Sequence, residues 1–179
     1  MKKFSLILCF FTVVFCSCER HMRVDISVMP EATTEGKHTF GCLVDGWAYV
    51  GGRYYDQGSP YIYDTNHSIV FDFYESAKRV DVCVKVEGTP DFAENRYLKF
   101  SITNVEKDAV LPRTCEFVNA RFSNARADNG SEILLDNLGT VKVTNIIVSD
   151  SVKMMSGIFY GTRITEGRFD VNLKRQLFQ

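Results

Sequence analysis

From residue 39 to the end of the chain, apolar and polar side chains alternate in short runs. Arg79–Val86 is the cleanest: Val80, Val82, Val84 and Val86 take one face, and Arg79, Asp81, Cys83 and Lys85 take the other. His67–Tyr74 repeats this with Ile69, Phe71 and Phe73, and Tyr97–Thr103 with Leu98, Phe100 and Ile102. A period of two marks a strand with one face on a core and the other toward water. Thr39–Val44 and Trp47–Val50 form a further pair of strands, joined by Asp45-Gly46, a dipeptide suited to a two-residue hairpin.

The remaining segments are less regular. Thr114–Phe122 begins in one phase (Cys115, Phe117) and ends in the other (Val118, Ala120, Phe122), which predicts a bulge. Glu132–Asp136 reads as a short strand, Asn137-Leu138-Gly139 as a turn, and Thr140–Ser149 as a strand with a second phase slip near Thr144-Asn145. Val152–Ile164 follows, then a turn at Thr165-Glu166-Gly167. Arg168–Leu173 closes the domain with Phe169, Val171 and Leu173 inward, leaving Arg168 and Asp170 outward and able to pair. Residues 53–66 read as a long loop with a short extended piece at Tyr61–Tyr63. No eleven-residue window carries a helical period. Short strands with polar punctuation predict an all-β fold, a single antiparallel sandwich or barrel-like domain.

The first residues follow a different pattern. Lys2 and Lys3 precede an apolar run from Phe4 to Cys18, shorter than the ~20 residues of a spanning helix. A basic start and a short apolar core are the marks of a secretory signal. Ordinary signal cleavage after Ser17 would place the bulky Phe15 where a small residue is needed. Ser17-Cys18 instead resembles a bacterial lipobox, with Phe15 where Leu is commonest, so Cys18 is the expected lipid-bearing first residue of the mature chain. The expected organisation is a signal peptide over residues 1–17, a lipid-anchored tether over 18–38 and an antiparallel β domain over 39–179. The expected address is the cell envelope, on the periplasmic or surface face of a membrane, most simply the outer membrane.

The 179 residues carry 21 Lys and Arg against 22 Asp and Glu. Removing Lys2 and Lys3 with the signal makes the mature chain more acidic, and no basic stripe suggests a nucleic-acid partner. Beyond the signal and Cys18, the cysteines are Cys42, Cys83 and Cys115. Three positions cannot all pair within one chain; either Cys83 and Cys115 form a bridge or all three are small apolar residues. No Cys/His spacing suggests zinc, and no cofactor is expected.

Two stretches carry a resemblance. Glu35-Gly36-Lys37-His38-Thr39-Phe40-Gly41-Cys42-Leu43-Val44-Asp45-Gly46 resembles the "GKNTFGCxVNG" signature of a family of small lipoproteins from gut-dwelling anaerobic bacteria. Ser156-Gly157-Ile158-Phe159, followed by residues 164–171, is similar to that family's "SGTFEF…ITDGRFDV" pair of strands. The departures are His38 and Asp45 for Asn, and Ile158 for Thr. The family has no known function, so the resemblance implies an antiparallel β fold and an envelope location, and it brings no catalytic residues. Gly41 and Gly46 read as positions of close backbone approach and of a turn.

No nucleophile is paired by sequence with a base, and no nucleotide, zinc-protease or calcium motif is present. The chain is therefore expected to be no enzyme. One cluster stands above the background: Trp47, Tyr49, Tyr54, Tyr55, Tyr61, Tyr63 and Tyr74, interleaved with Asp45, Arg53, Asp56, Gln57 and Asp64, with Trp47, Tyr54, Tyr55, Tyr61 and Tyr63 as the candidate binding surface. Rings with polar rims suit a glycan or a protein partner. The expected function is a non-catalytic binding module held at the membrane by lipid on Cys18, with a glycan or envelope protein as partner. The alternative is a lipocalin-like carrier with a small apolar ligand inside a barrel.

Overall fold

The computed structural model describes residues 29–54, 62–63, 65–86, 96–127 and 130–175. Twelve strands and one helical turn follow in order. They are β1 (Thr39–Val44), β2 (Trp47–Val50), β3 (Arg53–Tyr54), β4 (Ile62–Tyr63), α1 (Thr65–Ser68), β5 (Ile69–Tyr74) and β6 (Arg79–Val86). Then come β7 (Arg96–Thr103), β8 (Arg113–Ser123), β9 (Glu132–Val148), β10 (Lys153–Tyr160), β11 (Ile164–Asn172) and β12 (Lys174–Arg175). Ten strands make one sheet in the order β12-β5-β6-β7-β8-β9-β10-β11-β1-β2, and β3 and β4 pair separately. All neighbours in the large sheet are antiparallel except β12 and β5.

Two ties roll the sheet up. Chain leaving β11 passes through Leu173 into β12, which pairs with β5 at the other end of the strand order. Gly51, just past β2, bridges to Val86 of β6, and the Gly52 amide donates to the Lys85 carbonyl at 3.1 Å. The fold is thus all-β, a curled antiparallel domain between half-barrel and sandwich.

The alternation places the core where the sequence predicts it. Val80, Val82, Val84 and Val86 are buried, as are Ile69, Phe71, Phe73, Leu98, Phe100 and Ile102, while Cys83 is half-buried on the outer face. Phe169, Val171 and Leu173 also point inward. Aromatic rings fill the interior. Phe159 lies 5.4 Å from Phe40, 5.3 Å from Phe100, 6.1 Å from Phe169 and 6.2 Å from Phe117, centroid to centroid. Each pair adds about 0.5–1.5 kcal/mol beyond the area it buries.

Both predicted phase slips are bulges. Opposite Lys99 and Ser101, β8 fits an extra residue between Val118 and Arg121, where Asn119 has a φ of 56°. Opposite Ser156 and Gly157, β9 fits an extra residue between Asn145 and Val143. The Asp45-Gly46 hairpin also forms, with φ of 51° and 83°, the left-handed pair that a type I′ turn requires.

Three sequence expectations change. Asn137-Leu138-Gly139 is no turn: β9 runs unbroken from Glu132 to Val148. Gly139 pairs with Phe117, and a Cβ there would sit 2.1 Å from the Phe117 Cζ, so glycine leaves room for a ring lying over the strand. The turn expected at 165–167 lies instead at 161–163, and β11 starts at Ile164. Gly167 lies within that strand under Phe159; the positive φ belongs to Glu166, at 50°, where β11 bulges opposite β1. Finally, Arg168 and Asp170 do not pair as outward neighbours. Asp170 is fully buried, because residues 29–38 lie over that face of β11, while Arg168 reaches Glu166 at 3.6 Å.

The Asp170 carboxylate fastens that strap. It accepts hydrogen bonds from Thr33 Oγ1, from the backbone amides of Glu35 (3.0 Å), Gly36 (2.9 Å) and Lys37 (3.2 Å), and from Ser156 Oγ (2.7 Å). Asn145 Nδ2 donates to the Thr34 carbonyl, and the Asn172 amide donates to His38 Nδ1. Pro30 covers Gly41, where a Cβ would meet the Pro30 Cδ at 2.6 Å, as close backbone approach predicts. Residues 1–28, with the signal and Cys18, lie outside the described residues. No disulfide joins Cys42, Cys83 and Cys115, so the Cys83–Cys115 bridge is not formed.

Candidate functional site

At one end of the rolled sheet, the β1–β2 hairpin, the 161–163 turn and the first residues of β9 meet around one guanidinium. Arg163 donates from Nε to the Asp45 carboxylate at 3.0 Å and from Nη1 to the Leu134 carbonyl at 3.1 Å, and Nη2 also bonds Asp45. The Asp45 amide returns a bond to the Arg163 carbonyl at 2.9 Å. Hydrogen bonding to Arg163 holds the Asp45 carboxyl below its ordinary range and raises the guanidinium in turn.

A second carboxylate sets the turn beneath. Asp136 is buried and accepts the backbone amides of Thr162 (3.0 Å), Arg163 (3.1 Å) and Ile164 (2.9 Å). Gly161 is needed because a Cβ there would lie 2.5 Å from the Asp136 Oδ2. Arg163 is thus aimed by a rigid support rather than by a free loop.

Exposed apolar side chains lie on the segments this clamp joins. Trp47 is 38% exposed beside the hairpin turn, and Ile133 and Leu134 are 52% and 57% exposed on β9. Their exposure follows from the strand. Ile133-Leu134-Leu135 cannot all face inward, and a bulge at Leu135, between the Ala120–Asp136 and Arg121–Leu134 pairs, turns only Leu135 into the core. Tyr49, on the same hairpin, is buried against Phe122 with ring centroids 5.0 Å apart, and desolvation raises its phenol.

Of the candidate binding surface expected from sequence, Trp47 alone falls in this constellation. Tyr54 and Tyr63 lie in the β3–β4 pair, in register with Ile62 and Arg53, beyond the opposite end of β2. Tyr55 and Tyr61 lie outside the described residues. Ile133, Leu134 and Arg163 were missed by the sequence reading. The available signal was the unbroken Ile133-Leu134-Leu135 run, which violates alternation inside an otherwise polar strand. No family model, curated protein or solved structure matches the chain.

Several titratable groups elsewhere are committed to structure. The lone pairs of Asp136 and Asp170 are taken up by backbone amides and hydroxyls. Cys42 is fully buried and burial pushes its thiol far up, which suppresses the thiolate. Cys115 Sγ donates to the Asn104 carbonyl. Asp72 and Asp81 face each other across β5 and β6, in a cleft of about 210 Å3 shared with Cys83, Lys99, Ser101 and Arg121. There Asp81 pairs with Arg79 at 3.0 Å and accepts from Ser101 at 2.7 Å, while Arg121 pairs with Glu132 at 2.9 Å. Among the described residues, no group of three or more His, Cys, Asp or Glu is placed to hold a metal.

Proposed function

We propose that this is a lipid-anchored cell-envelope domain, without a catalytic role, that binds an envelope protein through the Trp47 end of its sheet. The observation that carries this reading is the exposed Trp47 on the hairpin and the exposed Ile133-Leu134 pair on β9, the two segments that the pre-set Arg163 ties together. Tryptophan and arginine are the residues most enriched where one protein grips another, and aliphatic neighbours supply the water-excluding surround. Two exposed aliphatic side chains suit a protein partner better than a sugar, whose faces stack on rings but whose edges need polar groups. The interior, filled by Phe40, Phe71, Phe100, Phe117, Phe159 and Phe169, favours binding on the surface over carriage inside a barrel.

The anchor reading rests on the Ser17-Cys18 pattern, and the lipoprotein resemblance supports it. His38 and Asp45, which stand where the resembled signature has Asn, both hold left-handed backbone, with φ of 56° and 51°. That conformation accepts Asn, Asp and His more readily than other side chains.

The experiment is a binding screen of the purified chain against solubilised envelope proteins and a glycan array. Trp47→Ala and Leu134→Asp should each weaken partner binding by about thirtyfold, the equivalent of ~2 kcal/mol at a central contact. A Tyr54→Ala/Tyr55→Ala variant reports whether the tyrosines past the far end of β2 share in the contact. Undiminished binding by both Trp47→Ala and Leu134→Asp would remove this surface from the account, and glycan binding without a protein partner would replace the partner class.

A further inference from the structure

A second apolar surface lies on the outer face of β9, β10 and β11. Leu138 is 56% exposed, Tyr160 52% and Ile158 38%. They are neighbours by register: Tyr160 pairs with Thr140, two residues from Leu138, and Ile158 is two residues from Tyr160 on the same face. A groove of about 410 Å3 runs between Ile158, Tyr160, Thr165, Gly167 and Arg168 and is closed on one side by Ala32 of the strap.

We propose that this face lies on the phospholipid bilayer, as the membrane-facing side of the anchored domain. The inference rests on the lipidation of Cys18 proposed above. Arg168 pairs with Gly41 of β1 on one side and with Ile158 of β10 on the other. Met29 and Pro30, where the docked strap begins, pack on Gly41. The chain therefore departs toward its anchor about two strand spacings, ~10 Å, from Ile158. Eleven positions separate Cys18 from Met29, a span of at most about 40 Å fully extended. That reach is comparable to the diameter of a domain of this size, with a radius of gyration of ~15 Å. The domain cannot stand far from the bilayer, and the Asp170 latch prevents the strap from lengthening the tether.

Beside that departure point, Leu138, Ile158 and Tyr160 all stand exposed to water. The chemistry of this face suits the interface. Tyr160 offers a ring with a polar tip, Leu138 and Ile158 offer aliphatic surface, and Lys142 and Arg168 can meet headgroup phosphates at the margin. Glu116 and Glu166 also border the face. Its charge is therefore mixed, and the attachment is apolar rather than electrostatic.

The test uses the full lipidated chain in vesicles of phosphatidylethanolamine and phosphatidylglycerol with brominated acyl chains. Trp47, the one tryptophan, is changed to Phe, and a single reporter is placed by Tyr160→Trp or, in the β5–β6 turn, by Ser76→Trp. Both positions are exposed, and Leu138→Trp reads the same face should Tyr160→Trp misfold. The reporter at 160 should lose about half its emission to the bromolipid, consistent with insertion ~5–10 Å into the interface, at low and high salt alike. The reporter at 76 should keep its emission. Flotation with the vesicles but no quenching at 160, or equal quenching at both positions, overturns the membrane face and leaves the anchor standing. A chain that does not float overturns the anchor and this inference with it.

Discussion

At the residue scale, Asp170 does more than any other single side chain to join the N-terminal strap to the sheet. Burial alone would raise its carboxyl, but the bonds from Thr33, Ser156 and the amides of Lys37 and Gly36 outweigh it, so the group stays below the usual carboxylate range. Asp170→Ala leaves those donors without an acceptor and should cost about 2–4 kcal/mol in urea unfolding. The pH dependence has a definite sign. With the folded pKa below the unfolded value, the unfolded chain takes the proton first, so the contribution is complete above the unfolded value of ~3.9 and disappears as pH falls through the lower, folded one. The gap in urea midpoint between wild type and Asp170→Asn should thus stay constant at neutral pH and shrink only below about pH 4. A gap that shrinks near neutrality would contradict this. The sequence placed Asp170 outside because alternation puts it opposite Phe169; it carries no sign that a strap would cover the outer face.

At the element scale, alternation and phase were the legible signals, and glycine was the misleading one. The paired runs of β5, β6 and β7 were clear because each has a wet face and a dry face. The bulges in β8 at Asn119 and in β9 opposite Ser156 and Gly157 showed as slips of that alternation. Gly139 and Gly167 read as turn residues, yet each makes room for a phenylalanine on a neighbouring strand, a long-range relation that a local pattern does not contain. Gly139→Ala should therefore destabilise by about 2–3 kcal/mol through overpacking against Phe117. Phe117→Leu in the same chain should recover part of that loss, with a coupling of about 1 kcal/mol or more in a double-mutant cycle. Strictly additive effects would show that the ring is not what requires the glycine. The exposed Ile133-Leu134 pair is the converse case, since its excess of apolar character was written in the sequence and was absorbed into a strand assignment.

At the scale of the whole molecule, two facts shape the account: phenylalanine rings fill the interior, and among the described residues Trp47, Ile133 and Leu134 are exposed toward one end while Leu138, Ile158 and Tyr160 are exposed on one outer face. Phe159 touches four other rings, so Phe159→Ala should cost about 4 kcal/mol in urea unfolding; a loss below about 1 kcal/mol would mean the rings do not form a continuous core. With the core closed, the proposed recognition falls to the Trp47 end, and the proposed lipid on Cys18 would determine which surfaces meet the membrane. That anchor is the claim on which the address and the orientation both depend. Mass spectrometry of the mature N-terminal peptide from cells producing the full chain tests it most directly. The account predicts a peptide beginning at Cys18 with diacylglycerol on its sulfur, absent from Cys18→Ser. An unmodified peptide beginning at Cys18, or a mature chain that begins elsewhere, would contradict it.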